Sequence, residues 1–140
     1  MGTRSLTFVK DESGKSNLCM YRQMDGYPTG HGQELKDFLK DMVIINGIGM
    51  QKGPIANGMG CLAAQIVAHF KDGVGSIYLY PTSTKDAGQE FSYGIYAIGD
   101  RVGVKILRDY DRKILYNGPI ADADMEAIEN EGTTEQIEEQ

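Results

Sequence analysis

The sequence predicts an α+β domain: an antiparallel sheet of about five to six strands, two helices packed on one face, and an acidic C-terminal tail. Two observations predict it. Near both ends of the globular region apolar and polar residues alternate, the period of half-buried strands. Between those regions two segments repeat apolar residues at helical spacing, so each buries one stripe. A third observation excludes the main competitor. Strands and helices do not alternate along the chain, there is no internal repeat, and no βαβ succession builds a parallel sheet.

Each element has its own warrant. Arg4 to Val9 and Asn17 to Arg22 read as strands: Leu6 and Phe8 alternate with Ser5 and Thr7, and Leu18 and Met20 with Cys19 and Tyr21. DESGK between them is of hairpin length. Gln33 to Met42 places Leu35, Phe38, Leu39 and Met42 on one stripe, with Glu34, Lys36, Asp37 and Lys40 outside it. Asn46 to Gly60, with five glycines in fifteen residues, reads as a flexible loop, a lid or an oligomer contact. Cys61 to Lys71 is a second helix, ended by Gly73 and Gly75. Leu62, Ala63, Ile66, Val67 and Phe70 face inward, and Gln65 and His69 share another face. Ser76 to Tyr80 is a short strand closed by Pro81. Phe91 to Ile98 and Arg101 to Leu107 form a hairpin across Gly99-Asp100, whose leading glycine suits a type II′ turn. Lys113 to Tyr116 adds a last strand, and Ala121 to Glu129 a short acidic helix.

Charge divides the chain. Residues 119–140 hold eight acids and no base, whereas the first 118 residues hold 12 acids and 14 Lys plus Arg. The expected organisation is therefore one globular α+β domain over residues 1–118 and a partly disordered acidic segment over 119–140. A slightly basic body without a Lys/Arg stripe argues against long nucleic acid as a partner. No run of about 18 apolar residues exists, so no membrane partner is expected. MGTRSLTFVKDE has no apolar secretory core, which points to the cytoplasm. Cys19 and Cys61 read as buried, reduced thiols.

The densest polar segment is YRQMDGYPTGHG, Tyr21 to Gly32. Asp25-Gly26 and Pro28-Thr29-Gly30 punctuate it as successive turns. The following helix opens with unpaired N–H groups, favourable for an anion. Arg22 can clamp a phosphate, Tyr21 and Tyr27 can stack on a base, and Gly26, Gly30 and Gly32 let backbone approach a ligand. The competing interpretation is structural, with Arg22 paired to Asp25 and both tyrosines packed. His31 has the same two possibilities, a proton carrier or a cap at the helix start. The glycine-rich loop is neither a P-loop nor a dinucleotide fingerprint, since the third glycine position holds Lys52, although Lys52 can reach an anion. Histidines and cysteines lack metal spacing, and no cofactor is expected.

MGTRSLTFV, YRQMDGYPTGHG with ELKDFL behind it, and the closing FSYGIYAI, VGVKIL and KILYNGP together resemble a family of small uncharacterised bacterial and phage proteins. The resemblance implies no activity. Its phage setting suggests counter-defence by sequestering a cyclic nucleotide signal without cleaving it.

The expectation is thus a cytoplasmic, homo-oligomeric, non-enzymatic binder of a small anionic ligand, a nucleotide or cyclic nucleotide. Its site would comprise Arg4, Tyr21, Arg22, Asp25, Gly26, Tyr27, Gly30, His31 and Gly32. Two alternatives stand beside it: a small phosphodiesterase-like hydrolase using His31, and a protein inhibitor of a host complex acting through the acidic tail.

Overall fold

The computed structural model describes residues 2–47 and 53–130. Strand β1 (Ser5–Lys10) turns back antiparallel into β2 (Ser16–Arg22). The turn is held by Asp11, whose Oδ1 accepts from Ser13 N, Ser13 Oγ and Lys15 N. A π-type turn (Pro28–Gly32) leads into α1 (Gln33–Leu39), then β3 (Val43–Ile45), β4 (Ile55–Asn57) and α2 (Gly58–Phe70). The chain closes with β5 (Ile77–Leu79), β6 (Phe91–Ile98), β7 (Arg101–Arg108) and β8 (Lys113–Pro119).

The fold is α+β, with a six-stranded sheet ordered β5-β2-β1-β6-β7-β8. It is mostly antiparallel, as expected, but β1 and β6 pair in parallel at its centre. This pairing joins the N-terminal hairpin to the C-terminal meander. Local periodicity cannot announce it, because each strand alternates in the same way whichever partner it takes. The Gly99-Asp100 turn is type II′, as read: Gly99 alone has positive φ, 61°, and Ile98 faces Arg101.

Register assigns every strand residue to a face. Thr7, Val9, Leu18, Met20, Tyr93, Ile95, Val104 and Ile106 point to one side. Leu35 and Leu39 of α1 and Leu62, Ala63 and Ile66 of α2 close a core over that side. Leu6, Phe8, Cys19, Tyr21, Ser92, Gly94 and Lys105 point to the other.

Three expectations need correcting. Part of the segment read as a flexible glycine loop is regular structure: it contributes β4, which pairs in parallel with the preceding β3 as a small second sheet, and α2 begins within it at Gly58 rather than at Cys61. Lys52 lies outside the described residues. Cys61 is exposed, not buried, and Cys19 is buried, so the two free thiols form no disulfide. Burial pushes the Cys19 thiol up to about 11.

The third correction concerns the acidic segment. Globular structure does not stop at residue 118. A 3-10 turn (Ile120–Asp122) follows β8, residues 125–130 are helical, and Ile120, Ala123, Met125 and Ile128 are buried in the core. Asp122, Asp124 and Glu126 are exposed while the buried residues recur two or three positions apart, and the helical residues 125–130 overlap the short acidic helix read over Ala121 to Glu129. The expected disorder over residues 131–140 lies outside the described residues. No helix among the described residues is long and apolar enough to cross a membrane.

Candidate functional site

The loop from Tyr21 to Gly32 is tightly built, and its polar groups answer one another. His31 is fully buried against Phe70 and Tyr93, with ring centroids 5.0 and 5.1 Å away. Its Nδ1 lies 3.1 Å from Arg22 Nη1 and its Nε2 lies 2.7 Å from Thr7 Oγ1. A guanidinium only donates, so Nδ1 accepts, and the ring proton sits on Nε2 and is donated to Thr7. Burial, reinforced by the Arg22 charge, pushes the imidazole pKa down to about 3. His31 is thus a neutral structural group at physiological pH.

Arg22 is equally committed. Its Nε donates to Met24 O over 2.7 Å, and its Nη1 also pairs with the Glu34 carboxylate. The predicted pairing of Arg22 with Asp25 is not made. Asp25 instead takes a left-handed backbone, φ 62°, and its carbonyl accepts from His31 N over 2.8 Å.

The anion cradle expected at the helix start is filled from within. Gly30 N and Gly32 N donate to Tyr27 O. Thr29 N and Oγ1 each donate over 3.0 Å to Glu129 Oε1. The anion at this N-terminus is therefore a carboxylate of the acidic segment, held where the backbone presents positive charge. The glycines are packing requirements. A Cβ on Gly26 would lie 2.7 Å from Ser5 Cβ, and one on Gly30 would lie 2.5 Å from Asp25 O and 2.9 Å from the Tyr27 ring. Gly32 packs against Met125 and Tyr93. Tyr93 Oη in turn donates to Gly26 O over 2.7 Å.

The remaining predicted residues point elsewhere. Tyr21 lies on the opposite sheet face, stacked on Tyr80 at 5.1 Å. Arg4 sits with its guanidinium against Gly88, and its carbonyl accepts from Glu90 N. Of the nine residues expected to share a site, Arg22, Asp25, Gly26, Tyr27, Gly30, His31 and Gly32 do converge, but as a self-satisfied structural cluster. Arg4 and Tyr21 do not join them.

A different concavity has the features of a ligand site. It lies on the sheet face away from the helices, has a volume of about 450 Å³, and falls within the usual range for small-molecule pockets. Phe8, Gly94 and Leu107 are among its floor residues. Lys10, Lys85, Lys105 and Arg112 surround it, four cations against one carboxylate, Asp109. That acid is already engaged: Ser92 Oγ donates to Asp109 Oδ2 over 2.6 Å, and Arg112 stands 3.8 Å from Oδ1. The three lysines are exposed, and none makes an ion pair among the described residues. The loop between β5 and β6 supplies Thr84 and Lys85 as one wall.

Two elements make this cleft possible. The parallel register sets Phe8 opposite Gly94, and the antiparallel register sets Gly94 opposite Lys105, so three neighbouring strands contribute one row. Period-two alternation already placed each of these residues on a definite face. Their adjacency depends on the β1–β6 pairing, which is why the sequence alone missed the cleft. A positive patch in a chain of net charge −6 concentrates anions locally.

No family profile, no curated protein and no solved structure matches this chain.

Proposed function

We propose that the protein is a non-enzymatic binder of a small anionic ligand of the nucleotide class, held in the cationic cleft on the open sheet face. The observation that carries this reading is the four-to-one excess of cationic over acidic side chains around a partly apolar floor. Phosphate is favoured by Lys10, Lys85 and Lys105, which make no ion pair among the described residues, with Arg112 beside them. Phe8 offers an aromatic surface beside them.

Binding without cleavage is supported by what lines the cleft. It holds one carboxylate and neither histidine nor cysteine among the described residues. The hydrolase reading relied on His31, and that ring is buried with both nitrogens engaged. In a phage-infected cytoplasm such a protein would act by withdrawing a nucleotide signal from host defence.

Isothermal titration against nucleoside monophosphates and cyclic nucleotides tests the proposal, with Lys105→Glu as control. Saturable binding that Lys105→Glu weakens by about tenfold, with the nucleotide recovered intact, is the expected result. Absence of binding by every nucleotide, or recovery of a cleaved product, overturns it.

A further inference from the structure

Three glycines interrupt the regular strands of the meander, and the chain treats them differently. Gly103 faces Tyr96 across β6 and β7, and a Cβ there would lie 2.8 Å from the Tyr96 ring. At Gly118 a Cβ would lie 3.1 Å from Tyr116 Oη and 3.4 Å from its Cζ. In both cases an aromatic ring lies on the glycine, so the missing side chain is explained by packing. The same arrangement recurs outside the sheet, where the Tyr27 ring lies 2.9 Å from the Cβ position of Gly30.

Gly94 breaks this pattern. It sits in the middle of β6, between Phe8 on β1 and Lys105 on β7. Its backbone is not in the left-handed region, and a Cβ would meet nothing closer than 3.9 Å, where Lys105 Cβ and O lie. Neither conformation nor packing requires glycine here. A glycine inside a strand costs stability, and one justification for it is close approach of a ligand to the backbone. Gly94 forms part of the floor of the cationic cleft.

We infer that Gly94 is a ring-binding position: the planar base of a nucleotide lies on its bare backbone beside Phe8, as Tyr96 lies on Gly103, while the phosphate is held by the surrounding cations. This inference rests on the reading of the cleft as an anion site and adds the ligand's second half. The site selects anions that carry a flat heteroaromatic ring over sugar phosphates that lack one. A β-branched side chain at residue 94 fills the slot and changes no charge of the cleft.

The experiment compares the ribonucleoside 5′-monophosphates with ribose 5-phosphate, which keeps the sugar and the charge and omits the base. Titrations use the full chain and its Gly94→Val and Gly94→Ala variants, with thermal denaturation of each. Glycine within a strand is less stable than a residue with a Cβ that meets no clash, so both variants should melt at or above the wild-type temperature. The wild type should bind at least one nucleotide about tenfold or more tighter than ribose 5-phosphate, the scale of one stacked base. Gly94→Val should erase that preference while changing ribose 5-phosphate affinity by less than about twofold, with Gly94→Ala between. Equal affinity of the wild type for both ligand types overturns the inference and leaves the anion site standing, as does a nucleotide preference that survives Gly94→Val. No binding of either ligand type by the wild type overturns the anion site and the inference together.

Discussion

Arg22 donates from Nη1 to Nδ1 of His31 over 3.1 Å, and that bond fixes the buried imidazole as its neutral Nε2–H tautomer. The pair ties β2 to the turn that opens α1. Through Thr7 it also ties that turn to the centre of the sheet.

The first prediction concerns pH. The folded pKa of His31 is about 3, against 6.5 for an unperturbed histidine, because burial excludes the charged ring. Between these values the unfolded chain binds a proton that the folded chain refuses. The contribution is complete above about pH 6.5 and is lost as pH falls, by about 1.4 kcal/mol per unit. Urea titrations near pH 7.5 and pH 5 should therefore differ by about 2 kcal/mol. His31→Gln should abolish most of that difference. A wild type equally stable at both values contradicts the assignment.

Arg22 should behave as a structural residue. Arg22→Met leaves His31 Nδ1 and Met24 O without their donor, a loss of about 2–3 kcal/mol in chemical denaturation. Arg22→Lys should recover only part, since one ammonium cannot span acceptors that the planar fork reaches together. Nucleotide affinity per folded molecule should stay within about twofold. A selective loss of affinity with unchanged stability would return Arg22 to the role of phosphate clamp.

The cleft cations should show the opposite split. Lys10→Glu and Lys105→Glu remove exposed side chains, so melting temperatures should move by no more than about 2 °C. Anion affinity should drop about tenfold for each, and the wild type should weaken steeply as NaCl is raised from about 50 to 500 mM. Salt-independent titrations would remove the electrostatic basis of the site.

The acidic segment should prove necessary for folding. Met125 is 1 % exposed and packs on Gly32, so Met125→Ala should cost about 2–5 kcal/mol. Glu129→Gln weakens the carboxylate bonds to Thr29 and should cost about 0.5–2 kcal/mol. A chain ending at residue 118 loses four buried core residues and should show no cooperative melting transition. A well-folded 1–118 fragment would show that the segment is an appendage.

What could be read in advance followed from short-range physics. Both hairpins, the turn at Gly99-Asp100, the stripe Leu35-Phe38-Leu39 and the inward row Leu62-Ala63-Ile66 all express periods that a few neighbouring residues suffice to define. The loop at Tyr21 was recognisable as unusual for the same reason. Its meaning was not, because a dense set of donors and acceptors looks alike whether it awaits a ligand or satisfies itself. The partner that decides the matter, Glu129, lies a hundred residues away in sequence.

By itself the sequence determined which residues of each strand and helix share a face, since side-chain direction follows from backbone period alone. Only the tertiary structure decided which faces meet. Pairing β1 with β6 in parallel brought Phe8, Gly94 and Lys105 into one row, and docking residues 120–128 into the core turned the anticipated anion cradle into an internal contact. Both depend on contacts between distant segments, whose loop-closure cost is repaid by the core they complete and leaves no trace in any local window of the chain.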